Sequence, residues 1–232
     1  MTYNDIYIKC MIEYDKNNIT SSYPSLTKYE IATILDKAYL AIIAQKLTGN
    51  NQRRSTFEAD TKAIEDLRPL VKTNASECIS SGEHASNEYT FELPTDLLYY
   101  IQSSVTIAEQ INGTDEKLHQ IENVTLLDHT TANRFKSTSN NLPWMENPVG
   151  YIESDYIYVL IDPFKELQSE MQITYIYKPD KFVDSINSFD TINFQLSDSM
   201  AEELINLAIV FATENVESPR LQTKSSILSL ES

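Results

Sequence analysis

The stretch that decides the fold is PSLTKYEIATILDKAYLAIIAQKLTGN, residues 24–50. Thr27 and Glu30 fit a capping box, which satisfies free backbone N–H groups at a helix N-terminus, and Gly49 tolerates the left-handed conformation that ends a helix. The positions at helical spacing between them are apolar except for the last: Ile31, Ile34, Leu35, Ala38, Ile42 and Gln45. The stretch predicts a long helix with a wide buried face. It carries no side chains arranged for acid, base, nucleophilic or metal chemistry.

A second helix is predicted directly after the first. Ser55 and Glu58 repeat the capping-box pattern, and Pro69 is expected to loosen the final turn. An apolar stripe at helical spacing follows the box: Ala63, Ile64, Leu67 and Leu70 or Val71. The polar loop between the two helices contains the only adjacent arginines, Arg53 and Arg54.

Residues 3–14, before the first helix, fit two structures. Apolar residues alternate as in a strand at Ile6, Ile8, Cys10 and Ile12. Spacing by four, as in a helix, relates Ile6, Cys10 and Tyr14. Because two helices follow directly, we favour a helix.

Residues 87–196 change to short β-branched and aromatic segments separated by turn residues, which predict strands. The segments are EYTFELP, LLYYIQSSVTIA, KLHQIENVTLL, GYIESDYIYVLIDP and EMQITYIYKP. The fourth is expected to form a hairpin that turns near Ser154 and Asp155. The intervening DHTTANRFKST is expected to form a short helix capped by Asp128. Such strands indicate a β-sandwich or a barrel-like sheet.

A helix returns near the C-terminus, where Ser199 and Glu202 form a third capping box and Pro219 marks the exit. Its apolar stripe is Ala201, Leu204, Ile205, Ala208, Phe211 and Ala212. We therefore predict an α+β protein. A helical bundle is formed by residues 1–80 and 197–217, an antiparallel β-rich domain at 87–196 is inserted into it, and residues 218–232 form a tail.

Composition and charge exclude several classes of protein. With 41% hydrophobic and 22% charged residues among 232, the chain is expected to fold rather than to be disordered. No apolar run approaches the roughly 20 residues of a membrane span, and the N-terminus lacks the pattern of a signal peptide. Two cysteines, Cys10 and Cys78, are too few for a disulfide framework and indicate free thiols in a reducing compartment.

The formal charge of -16 argues against a protein that grips nucleic acid, because such binding neutralises phosphates with Lys and Arg. An acidic surface can instead repel DNA and let it slide past. The simpler alternative is that the charge confers solubility.

No catalytic, cofactor or metal site is predicted. The three histidines, His84, His119 and His129, lie in no zinc-binding pattern. Four glycines in total leave no nucleophile elbow, Walker loop or dinucleotide-binding loop. Acid pairs such as Glu202 with Glu203 are expected by coincidence among 34 acids. We therefore expect a protein that is not an enzyme.

Tyrosines are abundant in the predicted strands: Tyr99, Tyr100, Tyr151, Tyr156, Tyr158, Tyr175 and Tyr177. An aromatic platform for sugars or single-stranded nucleic acid is one explanation. The explanation we favour is a role in the core or at a subunit interface, since tyrosine is common in both strands and interfaces.

Several segments, in their order along the chain, resemble one family. They are SSYPSLTKYEIATILDKAYLAIIAQKLTGNNQRRSTFEADTKAIEDLRPLV, FELPTDLLYYI, LPWMENPVGYIESDYIYVLID and ITYIYKPDKF, followed by the closing helix. They are similar to the ring protein in the neck of crAss-like bacteriophages. A more distant likeness is to the head-to-tail connector, or adaptor, proteins of short-tailed phages.

The resemblance implies a structural virion protein, assembled in the bacterial cytoplasm, that forms a commonly twelve-fold ring beneath the portal. Its expected partners are copies of itself, the portal and other neck or tail ring proteins, with DNA passing through the lumen without specific binding. No membrane and no cofactor is implied. Contact with the portal or a neighbour is expected in the tail at Arg220, Lys224, Ile227, Leu228 and Leu230. Subunit-interface residues are predicted as Tyr39, Arg53, Arg54 and Trp144.

Two other functions fit parts of the sequence. A carbohydrate-binding or hydrolytic tail component would present an exposed tyrosine cleft with paired carboxylates. An acidic module that mimics DNA would compete with DNA for a basic protein.

Overall fold

The described residues form five α-helices and eight strands, so the protein is mixed α+β. A computed structural model describes residues 1–17, 25–48, 61–81, 87–110, 117–137, 147–162 and 166–215. Contacts divide the chain into two units. The terminal unit comprises Met1–Leu70 and Pro179–Ser232, and the central unit comprises Val71–Lys178.

The terminal unit contains four of the helices and a 3-10 turn. They are α1 (Tyr3–Asn17), α2 (Lys28–Thr48), α3 (Thr61–Leu67), the 3-10 turn Arg68–Leu70 and α5 (Asp198–Asn215). The predicted capping box of α2 is confirmed: the Thr27 amide donates to Glu30 Oε2 at 2.7 Å, and the Glu30 amide donates to Thr27 Oγ1 at 3.3 Å. The helix favoured for the N-terminal segment is confirmed too, as Ile6, Cys10 and Tyr14 are buried on one face of α1.

Helix α5 contacts both α1 and α2 and is buried along most of its circumference. Its buried side chains are Met200, Ala201, Leu204, Ile205, Leu207, Ala208, Ile209, Ala212 and Thr213. The prediction that Ser199 caps this helix is wrong. The Met200 amide donates to Ser197 Oγ at 3.3 Å, so Ser197 is the N-cap, and Ser199 already lies inside the first turn.

The second predicted helix ends earlier than expected. Residues 49–60, which include its capping box, lie outside the described residues, and α3 ends at Leu67. Pro69 lies in the 3-10 turn, and the strand β1 (Val71–Ser81) begins directly after that turn. The sequence VKTNASECISS has little apolar alternation, and its structure is set by pairing with distant residues 170–176.

The central unit is built on one eight-stranded, nearly closed, barrel-like sheet in the described residues. The other strands are β2 (Glu88–Glu92), β3 (Leu97–Gln110), β4 (Lys117–Asn123), β5 (Thr125–Leu126), β6 (Val149–Glu153), β7 (Tyr156–Leu160) and β8 (Glu166–Tyr177). Their order is β4-β3-β8-β1-β2-β7-β6-β5. All pairs are antiparallel except β5 with β6.

The predicted hairpin and short helix are both present in the central unit. Glu153 pairs with Tyr156 across the β6–β7 turn, which places Ser154 and Asp155 in the turn as expected. Helix α4 (His129–Ser137) begins where the Thr131 amide donates to Asp128 Oδ1 at 3.3 Å. The apolar core beneath the sheet consists of Phe91, Val105, Ile107, Val124, Ile157, Val159, Ile161, Met171, Ile173 and Tyr175.

The unit boundaries differ from the predicted domain boundaries at both junctions. Residues 71–81 belong to the central unit, although they were placed in the helical domain, because β1 pairs with β8 and β2. Residues 179–196 belong to the terminal unit, although they were placed in the β-rich domain. This segment has no helix or long strand, and it packs on the helices through three buried phenylalanines: Phe182, Phe189 and Phe194.

Aromatic rings and one carboxylate hold residues 179–196 in place. Phe182 stacks on Tyr3 with ring centroids 4.0 Å apart. The amides of Phe182 and Val183 donate to the two oxygens of Asp36 at 2.7 and 3.2 Å. Desolvation outweighs these bonds and raises the pKa of Asp36 above its ordinary value.

Replacing Gly150 in β6 by alanine is expected to lower the free energy of unfolding by about 2 kcal/mol, because the pocket around it is already full. An added Cβ would lie 2.8 Å from Val124 Cγ1 and 3.0 Å from the Tyr158 carbonyl oxygen. Urea unfolding of the Gly150→Ala variant measures the loss. The control is Ser154→Gly in the adjoining turn, where φ is 55° and glycine fits without strain. Equal free energies of unfolding for wild type and Gly150→Ala would show that β6 can shift away from Val124 and Tyr158 without cost.

Candidate assembly surfaces

Helix α1 has a second apolar patch that faces away from the core. Its exposed stripe, at spacings of three and four, is Asp5, Ile8, Ile12 and Asp15. Ile8 and Ile12 are 46% and 48% exposed and are neighbours one turn apart. We call this pair the α1 patch. A single exposed isoleucine is common on soluble proteins, but two adjacent ones on an otherwise well-packed helix favour a binding surface.

Three further large apolar side chains are exposed on the helices of the terminal unit. Tyr29 and Leu40 lie on α2, three turns apart, and Ile64 lies on α3. Lys37 lies between the first two on the same side of α2, and its Nζ lies 4.5 Å from the Phe211 ring centroid. These residues are scattered, so they favour contact with a neighbour less strongly than the α1 patch does.

The two edge strands of the central unit both present apolar side chains to solvent. Ile121 in β4 is 74% exposed, and Leu126 in β5 is also exposed. Strand edges carry unpaired backbone groups and are usually protected by charge, proline or cover. Ile79 in β1 and Tyr156 in β7 add exposed apolar area to the same unit.

The net negative charge is concentrated in the central unit. Residues 71–178 contain 16 acidic and six basic side chains, a formal charge of -10 out of the chain's -16. One directly opposed pair, Glu77 in β1 and Glu170 in β8, brings two exposed carboxylates together across the sheet. Such a pair weakens the sheet slightly, so the charge has a cost in stability.

A buried cation connects three helices of the terminal unit. Lys46 Nζ lies 2.9 Å from Glu203 Oε2 and 3.3 Å from Asp66 Oδ2, and Lys62 approaches Glu203 from the solvent side. The contact with Asp66 is an ion pair without hydrogen-bond geometry. Desolvation acts to lower the pKa of Lys46. The hydrogen bond and charge of Glu203, together with the charge of Asp66, outweigh it, so the pKa lies above its ordinary value. Lys46 is therefore a charged structural link between α2, α3 and α5.

A second group of polar contacts closes one end of the β8–β1 pair. Tyr175 donates its hydroxyl to Asp96 Oδ1 at 2.8 Å, and Lys72 Nζ lies 3.3 Å from Asp96 Oδ2. The tyrosine hydrogen bond is the main reason that the pKa of Asp96 lies below its ordinary value. Burial, followed by the bond to Asp96, raises the pKa of Tyr175 to about 12. Tyr175 and Lys72 thus both bind the carboxylate of Asp96, and the three side chains form a structural contact.

The described residues show one deeply buried thiol and no cluster of metal-ligating side chains. Burial raises the pKa of the Cys10 thiol to about 12, so it is not reactive near neutral pH. No group of three His, Cys, Asp or Glu side chains in the described ranges is placed to hold a metal ion. Of the seven strand tyrosines, Tyr151 and Tyr175 are buried, Tyr156 is exposed, and the others are half-buried. These seven side chains therefore do not form an exposed platform with one another.

The predicted contact residues divide into one that the structure places and eight that lie outside the described residues. Tyr39 is 2% exposed, and its ring packs 5.1 Å from Phe194 and 6.5 Å from Phe182. Its contacts are therefore inside its own terminal unit rather than with a neighbouring subunit. The other predicted residues fall outside the described ranges: Arg53, Arg54, Trp144, Arg220, Lys224, Ile227, Leu228 and Leu230.

The α1 patch was missed from the sequence although it left a signal. Ile8 and Ile12 are the residues that made residues 3–14 alternate like a strand. In a helix, the same two residues cannot share the face of Ile6 and Cys10, so they must form a second apolar face. A helix with two apolar faces is typical of an element that packs on both sides.

No protein-family model matches the chain, and a search of curated proteins returns no match. No helix in the described ranges is both long and apolar enough to cross a membrane.

Proposed function

We propose that this protein is a structural subunit of a ring in the neck of a bacteriophage virion, joining the portal to the tail and letting DNA pass through its lumen. The observation that carries the proposal is the α1 patch, an apolar surface on a rigid helix whose other face is buried. In a ring, one surface of each subunit meets a different surface of the next, and the contact repeats around the axis.

The terminal unit supplies the rigid part of such a subunit. In this proposal α1, α2, α3 and α5 act as a helical bundle whose core is closed by residues 179–196, so that the α1 patch is held at a fixed angle. The buried Lys46 link and the aromatic packing of Phe182 both favour a single arrangement of the helices. Rigid presentation reduces the entropy that assembly would otherwise cost.

The acidity of the central unit has a role in the same proposal. A charge of -10 in each copy, multiplied around a ring, creates a strongly negative assembly. If the acidic surface lines the lumen, it repels DNA phosphates and prevents the adhesion that basic side chains would cause. Exposed pairs such as Glu77 and Glu170 are then retained for this repulsion despite their small cost in stability.

The proposal is tested by mixing the purified full chain with the portal protein of the same virion and measuring masses under native conditions. We expect a portal complex that gains one defined number of 26.5 kDa subunits. The full chain alone, measured at the same concentrations, is the comparison. A chain that stays monomeric with and without portal would contradict the proposal.

Replacing both Ile8 and Ile12 by glutamate is expected to abolish assembly without unfolding the subunit, since both side chains already face solvent. Loss of two buried isoleucines costs about 2 kcal/mol or more per interface, or about 30-fold in the association constant. The matched control is Ile8→Leu with Ile12→Leu, which keeps the apolar area and is expected to assemble. Native masses measure assembly, and circular dichroism checks the fold. Normal assembly of the glutamate variant would exclude the α1 patch as an interface.

A further inference from the structure

Strand β1 is central in the sheet order but is exposed along half of its length. Residues 71–77 pair with β8 on one side, whereas pairing with β2 on the other side begins only at Cys78. Four consecutive residues, from Lys72 to Ala75, are exposed, which is unusual for a strand with neighbours on both sides. Over residues 71–77, β1 therefore behaves as an edge strand inside the sheet.

The missing neighbour is replaced by an open cleft. Strand β2 ends at Glu92, and the chain then diverges from β1, because the Leu93 amide donates to the Asp155 carbonyl oxygen at 2.8 Å. Ser76 Oγ donates to the Glu92 carbonyl oxygen at 2.8 Å at the point of divergence. The resulting cleft of about 340 Å³ is lined by residues 74–77 and 92–95. We call it the β1 cleft.

The backbone of β1 is ready to pair with an added strand in this cleft. In an antiparallel pair, alternate residues direct both N–H and C=O to one neighbour and the remaining residues direct them to the other side. Over residues 71–77, the N–H and C=O groups that point away from β8 have no strand partner among the described residues. Addition of an extended peptide to such an edge is a common mode of recognition, with main-chain hydrogen bonds giving affinity.

The charge of the β1 cleft defines which peptide it suits. Glu77 and Glu92 flank it, both exposed, and neither forms an ion pair with any residue that the structure describes. The lysine of this strand, Lys72, already forms an ion pair with Asp96. Its Nζ also lies 3.6 Å from the Tyr177 ring centroid. A complementary strand therefore carries basic side chains and no acidic ones.

We propose that the β1 cleft binds residues 218–230 of a second copy of this chain as an added strand. This stretch, SPRLQTKSSILSL, contains two basic side chains and no acidic one, in a chain of net charge -16. Arg220 and Lys224 are four residues apart, so in an extended strand they lie on the same face and are both able to meet the cleft carboxylates. The inference rests on the proposed ring, since it supplies one of the contacts between copies.

Cysteine cross-linking between full-length chains tests the contact. One preparation carries Ala75→Cys. The other is a series of variants, each with one engineered cysteine at a position from 221 to 227. All of these chains also carry Cys78→Ser. Because each chain holds only one of the two engineered cysteines, a 75–tail disulfide identified by peptide mass joins two copies. We expect efficient cross-linking whose yield alternates along 221–227 with a period of two, as side chains of a strand do.

The control chain carries Thr33→Cys on α2 in place of Ala75→Cys, and its yields are expected to be low and without alternation. Reversing the cleft charges with Glu77→Lys and Glu92→Lys is expected to lower the 75–tail yield about tenfold. Yields from position 75 that match the control, or that do not alternate, would overturn the inference. If rings still form with the portal in that case, only the strand contact is wrong. Absence of rings together with an alternating cross-link would instead contradict the proposed function alone.

Discussion

Replacing Phe182 by alanine is expected to lower the free energy of unfolding of the terminal unit by about 4 kcal/mol. The side chain is 0% exposed and stacks on Tyr3. Three more rings, of Tyr39, Phe189 and Phe194, lie with centroids within 6.5 Å of its own. Because Phe182 is held by residues from α1, α2 and 189–194 together, truncation leaves a cavity that no single neighbour can fill.

Urea unfolding followed by near-ultraviolet circular dichroism measures this loss through the tyrosines of the cluster. Phe211→Ala on α5 is the matched control: the same atoms are removed from a half-buried position, and we expect a loss of about 2 kcal/mol. Equal losses for the two variants would show that residues 179–196 are not held by the Phe182 cluster.

Replacing Lys46 by methionine is expected to cost about 3 kcal/mol, because Asp66 then remains buried without its cation and Glu203 keeps only the exposed Lys62. Methionine is unbranched and close in length to the apolar stem of lysine, so lost packing contributes little. The measurement is again urea unfolding, at one fixed pH near neutral.

The chain offers a matched control for this second variant. Lys9 pairs with Glu202 on the neighbouring position of α5, but both side chains are about half exposed, so Lys9→Met should cost less than about 1 kcal/mol. Adding Asp66→Asn and Glu203→Gln to Lys46→Met should recover part of the loss. A Lys46→Met cost no larger than that of Lys9→Met would contradict the assignment of Lys46 as a buried link.

The helices of the terminal unit were predictable because their signals are local. Thr27 and Glu30 mark the start of α2, and the spacing of Ile6, Cys10 and Tyr14 identifies α1. Strand β1 was not predictable, since a polar segment becomes a strand only through its pairing with β8. The start of α5 was misplaced by two residues because Ser197 and Ser199 are both good caps, and sequence alone does not decide which hydroxyl meets a free amide.

The candidate surfaces were less predictable than the fold. Tyr39 was predicted to lie at a subunit interface, but the structure gives its ring partners that are distant in sequence, Phe182 and Phe194. Ile8 and Ile12 were assigned to no surface, because apolar residues in a helix are normally taken as core. Separating a core face from a binding face requires knowing which side of α1 meets α5.

The proposed ring is tested most directly by electron cryomicroscopy of the neck of the intact virion, with the terminal and central units fitted separately into the density. We expect copies of this chain in a closed ring on the DNA axis next to the portal, with Ile8 and Ile12 covered by an adjacent subunit. Density showing the chain away from the axis, or showing a ring in which both isoleucines face open solvent, would contradict the proposal.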